Sequence, residues 1–273
     1  MIMRTIPILL AAAMQAAWAP AAAAEIDEAT RAARWAGLRA QIFGDRAIED
    51  GSGLVSIEAP ERAADAAIVP VKITLAEGLR GTVSQIYFVI DDNPSPLAGR
   101  FIFGPLADPR EIATRIRVDD YTYLHAVAET KDGKLYGTAR FIKAAGGCSA
   151  PAGKDQALAL QRLGEMKMTL SGQSRIGSPV EAHLLVSHPN NSGMQMDQVT
   201  RDYVPADFVH TIKVTYNGAP VVTVESDISI SEDPSLTFEF VPNVAAGELS
   251  AEVADSNNRH FVRNWPVKIV PNS

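Results

Sequence analysis

The apolar positions change period along the chain. Over residues 25–43 they fit a helix. Trp35, Leu38 and Ile42 stand at i, i+3 and i+7 on one face, Arg31, Arg34 and Arg39 suit a solvated side, and Gly44 is a stop. Such a helix is expected to cap the edge of the sheet that follows. From Leu54 onward the period becomes two. Val69, Val71, Ile73 and Leu75 alternate with Pro70, Lys72 and Thr74, the pattern of a half-buried strand, and Pro70 places its edge or its start. Residues 86–90 are continuously apolar and suit a more buried strand, which Asp91-Asp92-Asn93-Pro94 ends with turn chemistry. Ile112, Thr114, Ile116 and Val118 share a face, as do Leu124, Ala126 and Ala128. Lys131-Asp132-Gly133-Lys134 predicts a hairpin turn, with residues 135–142 as the returning strand.

A second half repeats this manner without repeating the sequence. Residues 156–163 predict a short helix, and Met166-Met168-Leu170 and residues 180–188 predict strands. Asn217-Gly218 sits between Ile212-Val214-Tyr216 and Val222-Val224, the clearest hairpin signal in the chain. Leu236, Phe238 and Phe240 alternate, and Val253 and residues 261–270 complete the set. The predicted fold is all-β: two immunoglobulin-like antiparallel β-sandwiches with a short N-terminal helix, over residues 25–143 and 157–273.

Between them, residues 144–156 read as a flexible linker. The surrounding stretch, Lys143-Ala-Ala-Gly-Gly-Cys-Ser-Ala-Pro-Ala-Gly-Lys154, carries the chain's single cysteine, Cys148, and no long apolar side chain lies between Ile142 and Leu158 to anchor it. Gly146 and Gly147 supply a hinge. Cys148 is therefore expected to be exposed and mobile, with a thiol reactive through access rather than through activation. A strip of about ten residues entering a partner doubled reaches about 15 Å.

The N-terminus changes how that thiol is read. Arg4, the apolar run from Ile6 to Trp18 and Ala22-Ala-Ala24 have the order of a secretory signal cleaved before Glu25. Export to the periplasm is expected, where an odd cysteine is either a free reactive thiol or one paired between molecules. A disulfide-linked homodimer through Cys148 is one expected partner. The net charge is −7 with no basic cluster, which argues against nucleic acid and anionic membranes as partners. No stretch is long enough to insert in a membrane.

No nucleophile elbow, phosphate loop or zinc spacing occurs, and the histidines at 125, 183, 188, 210 and 260 are scattered. No catalytic site, cofactor or metal is expected. The alternative is a copper-binding protein using His183, His188, Met194 and Met196, since imidazole and thioether suit Cu(I). A third reading is an accessory interaction module in which Cys148 is idle.

Exported chain, two sandwiches and a Gly-Gly-Cys joint together resemble the SoxY–SoxZ sulfur carrier, with both subunits fused. Residues 25–153 resemble SoxY through Trp35, Phe43-Gly44-Asp45, Val69-Pro70-Val71 and Gly146-Gly147-Cys148. Residues 160–273 resemble SoxZ through His188-Pro189 with Ser192-Gly193, through Val204-Pro205-Ala206-Asp207-Phe208, and through Asn217-Gly218. The whole is similar to the fused SoxYZ-like carriers associated with quinoprotein dehydrogenases. The resemblance implies a non-enzymatic carrier of thiosulfate oxidation. Sulfur intermediates would attach to Cys148 on an arm hinged at Gly146 and Gly147. Sulfur-oxidation or quinoprotein dehydrogenase-associated enzymes would act on them. The family motif runs Gly-Gly-Cys-Gly-Gly to a free C-terminus. Here Ser149-Ala150 follow Cys148 and the chain continues.

Overall fold

The computed structural model describes residues 27–151, 156–171 and 175–268. The signal sequence expected over residues 1–24 lies outside them, and so does part of the expected linker, residues 152–155. Among the described residues no helix is long and apolar enough to cross a membrane.

The first half runs α1 (Glu28–Phe43), β1 (Ile48–Asp50), β2 (Val55–Glu58), β3 (Val69–Leu75), a one-turn α2 (Glu77–Arg80), β4 (Val83–Ile90), β5 (Leu97–Phe103), β6 (Ala107–Ile116), β7 (Thr122–Thr130) and β8 (Leu135–Ile142). The second half runs α3 (Gln156–Gln161), β9 (Met166–Ser171), β10 (Val180–Val186), β11 (Val209–Tyr216), β12 (Ala219–Ser226), β13 (Ser235–Phe240), β14 (Ala246–Asp255) and β15 (His260–Lys268). The strand alternation holds: Val69, Val71, Ile73 and Leu75 are all buried. Pro70 is the second residue of a strand flanked on both sides, so it marks a start and not an edge. Asn217 and Gly218, both at positive φ, turn β11 into β12.

The two predicted sandwiches are present, and they share their sheets. One sheet has nine strands in the order β1-β8-β7-β4-β5-β12-β11-β14-β15, and the other has six in the order β2-β3-β6-β13-β10-β9. The halves meet twice. β5 pairs antiparallel with β12, setting Phe101 opposite Val224 and Phe103 opposite Val222. β6 pairs antiparallel with β13, setting Ala113 opposite Thr237. One apolar core, from Val69 and Phe88 through Phe101 to Phe238 and Leu249, runs under both halves without a break.

Helix α1 begins where Asp27 accepts the Thr30 N–H at 2.8 Å and ends at Gly44, φ 61°. It covers a sheet face rather than the expected edge. Val127, Leu135 and Tyr87 point away from the main core, and Phe43, Trp35 and Ile42 close over them. Trp35 lies flat on the His125 ring, centroids 3.6 Å apart. Arg31 and Arg34, expected in solvent, belong to this packed side. Arg31 sits 4.7 Å over the Phe141 ring, and Arg34 pairs with Asp92.

A shared core makes the halves one cooperative unit. A single thermal transition is expected, with Phe101→Ala lowering stability by about 3–5 kcal/mol for both halves together. Two separable calorimetric transitions would contradict this.

Candidate functional site

The cysteine strip begins as a strand. β8 carries the chain to Ile142, and Lys143 continues beside residue 62, its N–H donating to Glu61 O at 2.8 Å and its carbonyl accepting the Ala63 N–H. The strip then bends inward instead of leaving the surface. The Gly146 N–H donates to Asp119 O at 2.7 Å and the Gly147 N–H to Val118 O at 2.9 Å. Gly146 has φ +78°. At Gly147 a Cβ would stand 2.0 Å from Ala66 O and 2.7 Å from Val118 O. Backbone lines that gap, so only glycine fits it.

Cys148 follows and is 0% exposed. This corrects the expectation of an accessible thiol. Ala145, Gly146 and Ser149 remain exposed, so Gly147 and Cys148 are a two-residue bite tucked under the surface. No large apolar side chain was needed to anchor the strip, because main-chain hydrogen bonds and one small thiol suffice. The intermolecular disulfide expected at Cys148 has no access to sulfur while this bite holds.

The second half completes the niche. The Ser192 hydroxyl donates to the Cys148 carbonyl and accepts the Met194 N–H at 3.2 Å. Ser192 is fixed in turn, its N–H donating to Gln195 Oε1 at 3.0 Å. The loop that carries it is held by a buried network. The Asn190 N–H donates to His188 Nδ1 at 3.0 Å, leaving Nε2 facing Asp255 at 3.4 Å and Asp207 at 3.6 Å. Arg259 binds both carboxylates, with its Nε 2.6 Å from Asp255. Burial holds His188 below its usual pKa against the pull of Asp207 and Asp255. His188, Asp207 and Asp255 have the spacing of metal ligands, but the Arg259 guanidinium already supplies the positive charge there.

Electrostatics at the thiol oppose ionisation. Burial, reinforced by the negative charge of Asp119 and offset in part by Arg117, pushes the Cys148 pKa up to about 12. Arg117 is 2% exposed. Its Nη1 donates to Ile230 O and, at 3.3 Å, to Ile228 O, both from the second half. Its main chain locks the junction further: Arg117 N–H donates to Ser229 O at 2.8 Å, and Asn93 Nδ2 bridges Arg117 O and Ser229 Oγ.

The expected copper segment is not gathered in this way. His183 lies on the solvent face of β10 with Nδ1 3.0 Å from Thr237 Oγ1, while both ring nitrogens of the buried His188 face protein groups. Sequence reading missed Ser192 as a partner of Cys148, and it missed Arg117 and Asp119. Arg117 stands at a polar position of the alternation Ile116-Arg117-Val118, where a solvated face is expected, so the local sequence carries no signal of its burial. Its cover, residues 228–230, lies more than a hundred positions away.

Gly147→Ala is expected to expel the bite without unfolding the sandwich. Limited proteolysis would then cut first within residues 145–149, at a nearly unchanged melting temperature. Continued protection there would contradict the docked geometry. The raised pKa sets a second expectation. The docked state keeps its proton where a released thiol, of ordinary pKa 9.0, has lost it. Docking is therefore fully favoured below pH 9 and weakens about tenfold per unit as pH rises toward 12. Thiolate ultraviolet absorbance should titrate near pH 12 in the native protein and near 9 in Gly147→Ala. Titration near 9 in both would contradict burial.

Comparison with known proteins finds two family models along the chain. The family model for sulfur oxidation protein SoxY matches residues 39–148, and that for sulphur oxidation protein SoxZ matches residues 168–266. Among solved structures, the sulfur carrier protein SoxY from Chlorobium limicola f thiosulfatophilum is 30% identical, covering 42% of this chain and 96% of its own, with a TM-score of 0.37. No curated protein matches. The SoxY match ends on Cys148 itself, and the SoxZ match contains Ser192, His188, Asp207, Asp255 and Arg259. The chain belongs to the SoxY–SoxZ family of sulfur oxidation proteins and carries both domains in tandem.

Proposed function

We propose that this protein is a periplasmic covalent carrier that presents a sulfur-bound intermediate on the Cys148 thiol to separate enzymes. The observation that carries the reading is the position of the chain's single thiol. It closes the SoxY match at Gly146-Gly147-Cys148 and rests on Ser192 of the SoxZ match. Four domain parts follow: a signal over 1–24, a SoxY-like body over 25–143, a cysteine-bearing arm over 144–156 and a SoxZ-like platform over 157–273.

The docked state is a resting state. A protonated, covered thiol is a poor nucleophile, so loading and unloading need the arm released. Only two residues are tucked in, and the hydrogen bonds from Gly146, Gly147 and Ser192 are those that must open. Once released, Gly146 and Gly147 serve as the hinge assigned to them by sequence. Among the described residues, Asp119 and Arg117 are the charged groups that bear on the sulfur. In this reading the chemistry belongs to the partners, sulfur-oxidation enzymes or those associated with a quinoprotein dehydrogenase. The copper alternative is weakened by the engagement of His188, and an idle Cys148 does not account for a niche that excludes even a Cβ at Gly147.

Intact mass of the protein isolated from the periplasm of a sulfur-oxidising host tests the proposal. The expected result is a chain starting at Glu25 with a sulfur adduct that maps to Cys148, and Cys148→Ser that folds normally but abolishes carrier-dependent oxidation. An unmodified Cys148 during active turnover, together with full activity of Cys148→Ser, would overturn it.

A further inference from the structure

Exposed large apolar side chains gather in one loop of the second half. Of the eight among the described residues, Met196, Val199 and Tyr203 all lie between positions 196 and 203. Val199 is 90% exposed and Tyr203 66%. A single exposed apolar residue needs no explanation, but three on one short loop mark a contact surface.

The loop is tied to itself. Met196 and Tyr203 face each other in an antiparallel bridge, the Val204 N–H donates to Gln195 O at 2.8 Å, and the Asp197 N–H donates to Asp202 O at 2.9 Å. At the tip the Asp197 carboxylate accepts the Val199 and Thr200 N–H groups, each at 2.8 Å. The tip is held in shape with its apolar side chains in solvent, so little backbone freedom is lost when a partner covers them. The root of the loop is the grip on the thiol-bearing arm. Gln195 Oε1 accepts the Ser192 N–H, and the Ser192 hydroxyl donates to the Cys148 carbonyl. Val199 is seven residues from Ser192, at most about 25 Å of extended chain. In the first half, Ala66 walls Gly147, and Ile68 two residues on is exposed as well.

We propose that residues 195–204 are the docking element by which an enzyme acting on Cys148 recognises the carrier, with Val199 and Tyr203 seated in an apolar recess of that enzyme. This rests on the carrier reading of Cys148 and deepens it by naming the surface its partners bind. The arm is joined to the body at both ends and reaches about 15 Å, so a body that takes up Cys148 must settle close to Ser192 and its loop. Anionic lipid is the wrong occupant. Arg201 is the one cation in the loop against Asp197 and Asp202, and the net charge of the chain is −7. The same charge favours a recess with a basic rim.

The test uses the full chain, a periplasmic fraction of the sulfur-oxidising host lacking its own copy of the carrier, and thiosulfate as substrate. Oxidation rate is followed against carrier concentration. Val199→Asp and Tyr203→Asp are each expected to raise the concentration for half-maximal rate at least about tenfold, the loss of one interface anchor, with the plateau unchanged. Their melting temperatures and the rate of Cys148 alkylation by iodoacetamide should match the wild type. Val262→Asp, at a side chain 65% exposed on β15, should leave the curve where it was. A wild-type half-maximal concentration in both loop variants would overturn the proposal, as would a lowered plateau alone or an equal loss from Val262→Asp. Sedimentation with phosphatidylglycerol vesicles that Val199→Asp abolishes would give the loop to a membrane and would overturn it too. Cys148→Ser separates the two readings. If it abolishes oxidation while the loop variants behave as wild type, the carrier stands and the docking element falls. If it keeps the full rate, the carrier reading falls and takes the docking element with it.

Discussion

Phe101 on β5 faces Val224 on β12, and Ala113 on β6 faces Thr237 on β13. These two antiparallel seams, one in each sheet, are the constraint on which the remaining structure depends. They turn a pair of small sandwiches into a single two-layer body with one core. Apolar burial grows faster than surface as domains merge, so each half gains more from the seam than from closing on itself. The seam also brings residues 227–233 of the second half against the end of β6. There Ser229, Ile228 and Ile230 collect the polar groups of Asn93 and Arg117.

The niche for Cys148 is a by-product of that seam. Val118 and Asp119 leave β6 with free carbonyls, which Gly147 and Gly146 fill. Ser192 arrives from the other half on a loop stiffened by His188, Asp207, Asp255 and Arg259. The two short signatures that carry the family resemblance, Gly146-Gly147-Cys148 and His188-Pro189 with Ser192-Gly193, thus meet in space. An arm joined to the body at both ends cannot leave as a free tail would. A docking site that grips only two residues is suited to it, because release costs three hydrogen bonds and no large apolar surface.

Much of the fold was legible because strands announce themselves locally. Val69 to Leu75, the Asp132-Gly133 and Asn217-Gly218 turns, and Phe238 with Phe240 all read correctly from period and turn chemistry. β5 did not, since Leu-Ala-Gly-Arg-Phe-Ile-Phe lacks clean alternation, and β5 is the strand that joins the halves. The face of α1 was misread because Arg31 and Arg34 look solvated, yet rings and a carboxylate of the sheet meet them. At the site, the sequence singled out Cys148, Gly146 and Gly147 but placed them in solvent. Small residues carry no apolar signal, and burial by main-chain hydrogen bonds across a distant seam leaves none to read.

The central claim is that Cys148 alternates between a covered resting state and a released carrying state. Its most direct measurement is the rate of native-state alkylation of Cys148 as the reagent concentration rises, at fixed pH and without denaturant. A gated thiol gives rates that lie below those of the unfolded protein and level off at the opening rate of the arm. A straight line with the slope of the unfolded protein would show an always-open thiol and contradict the account.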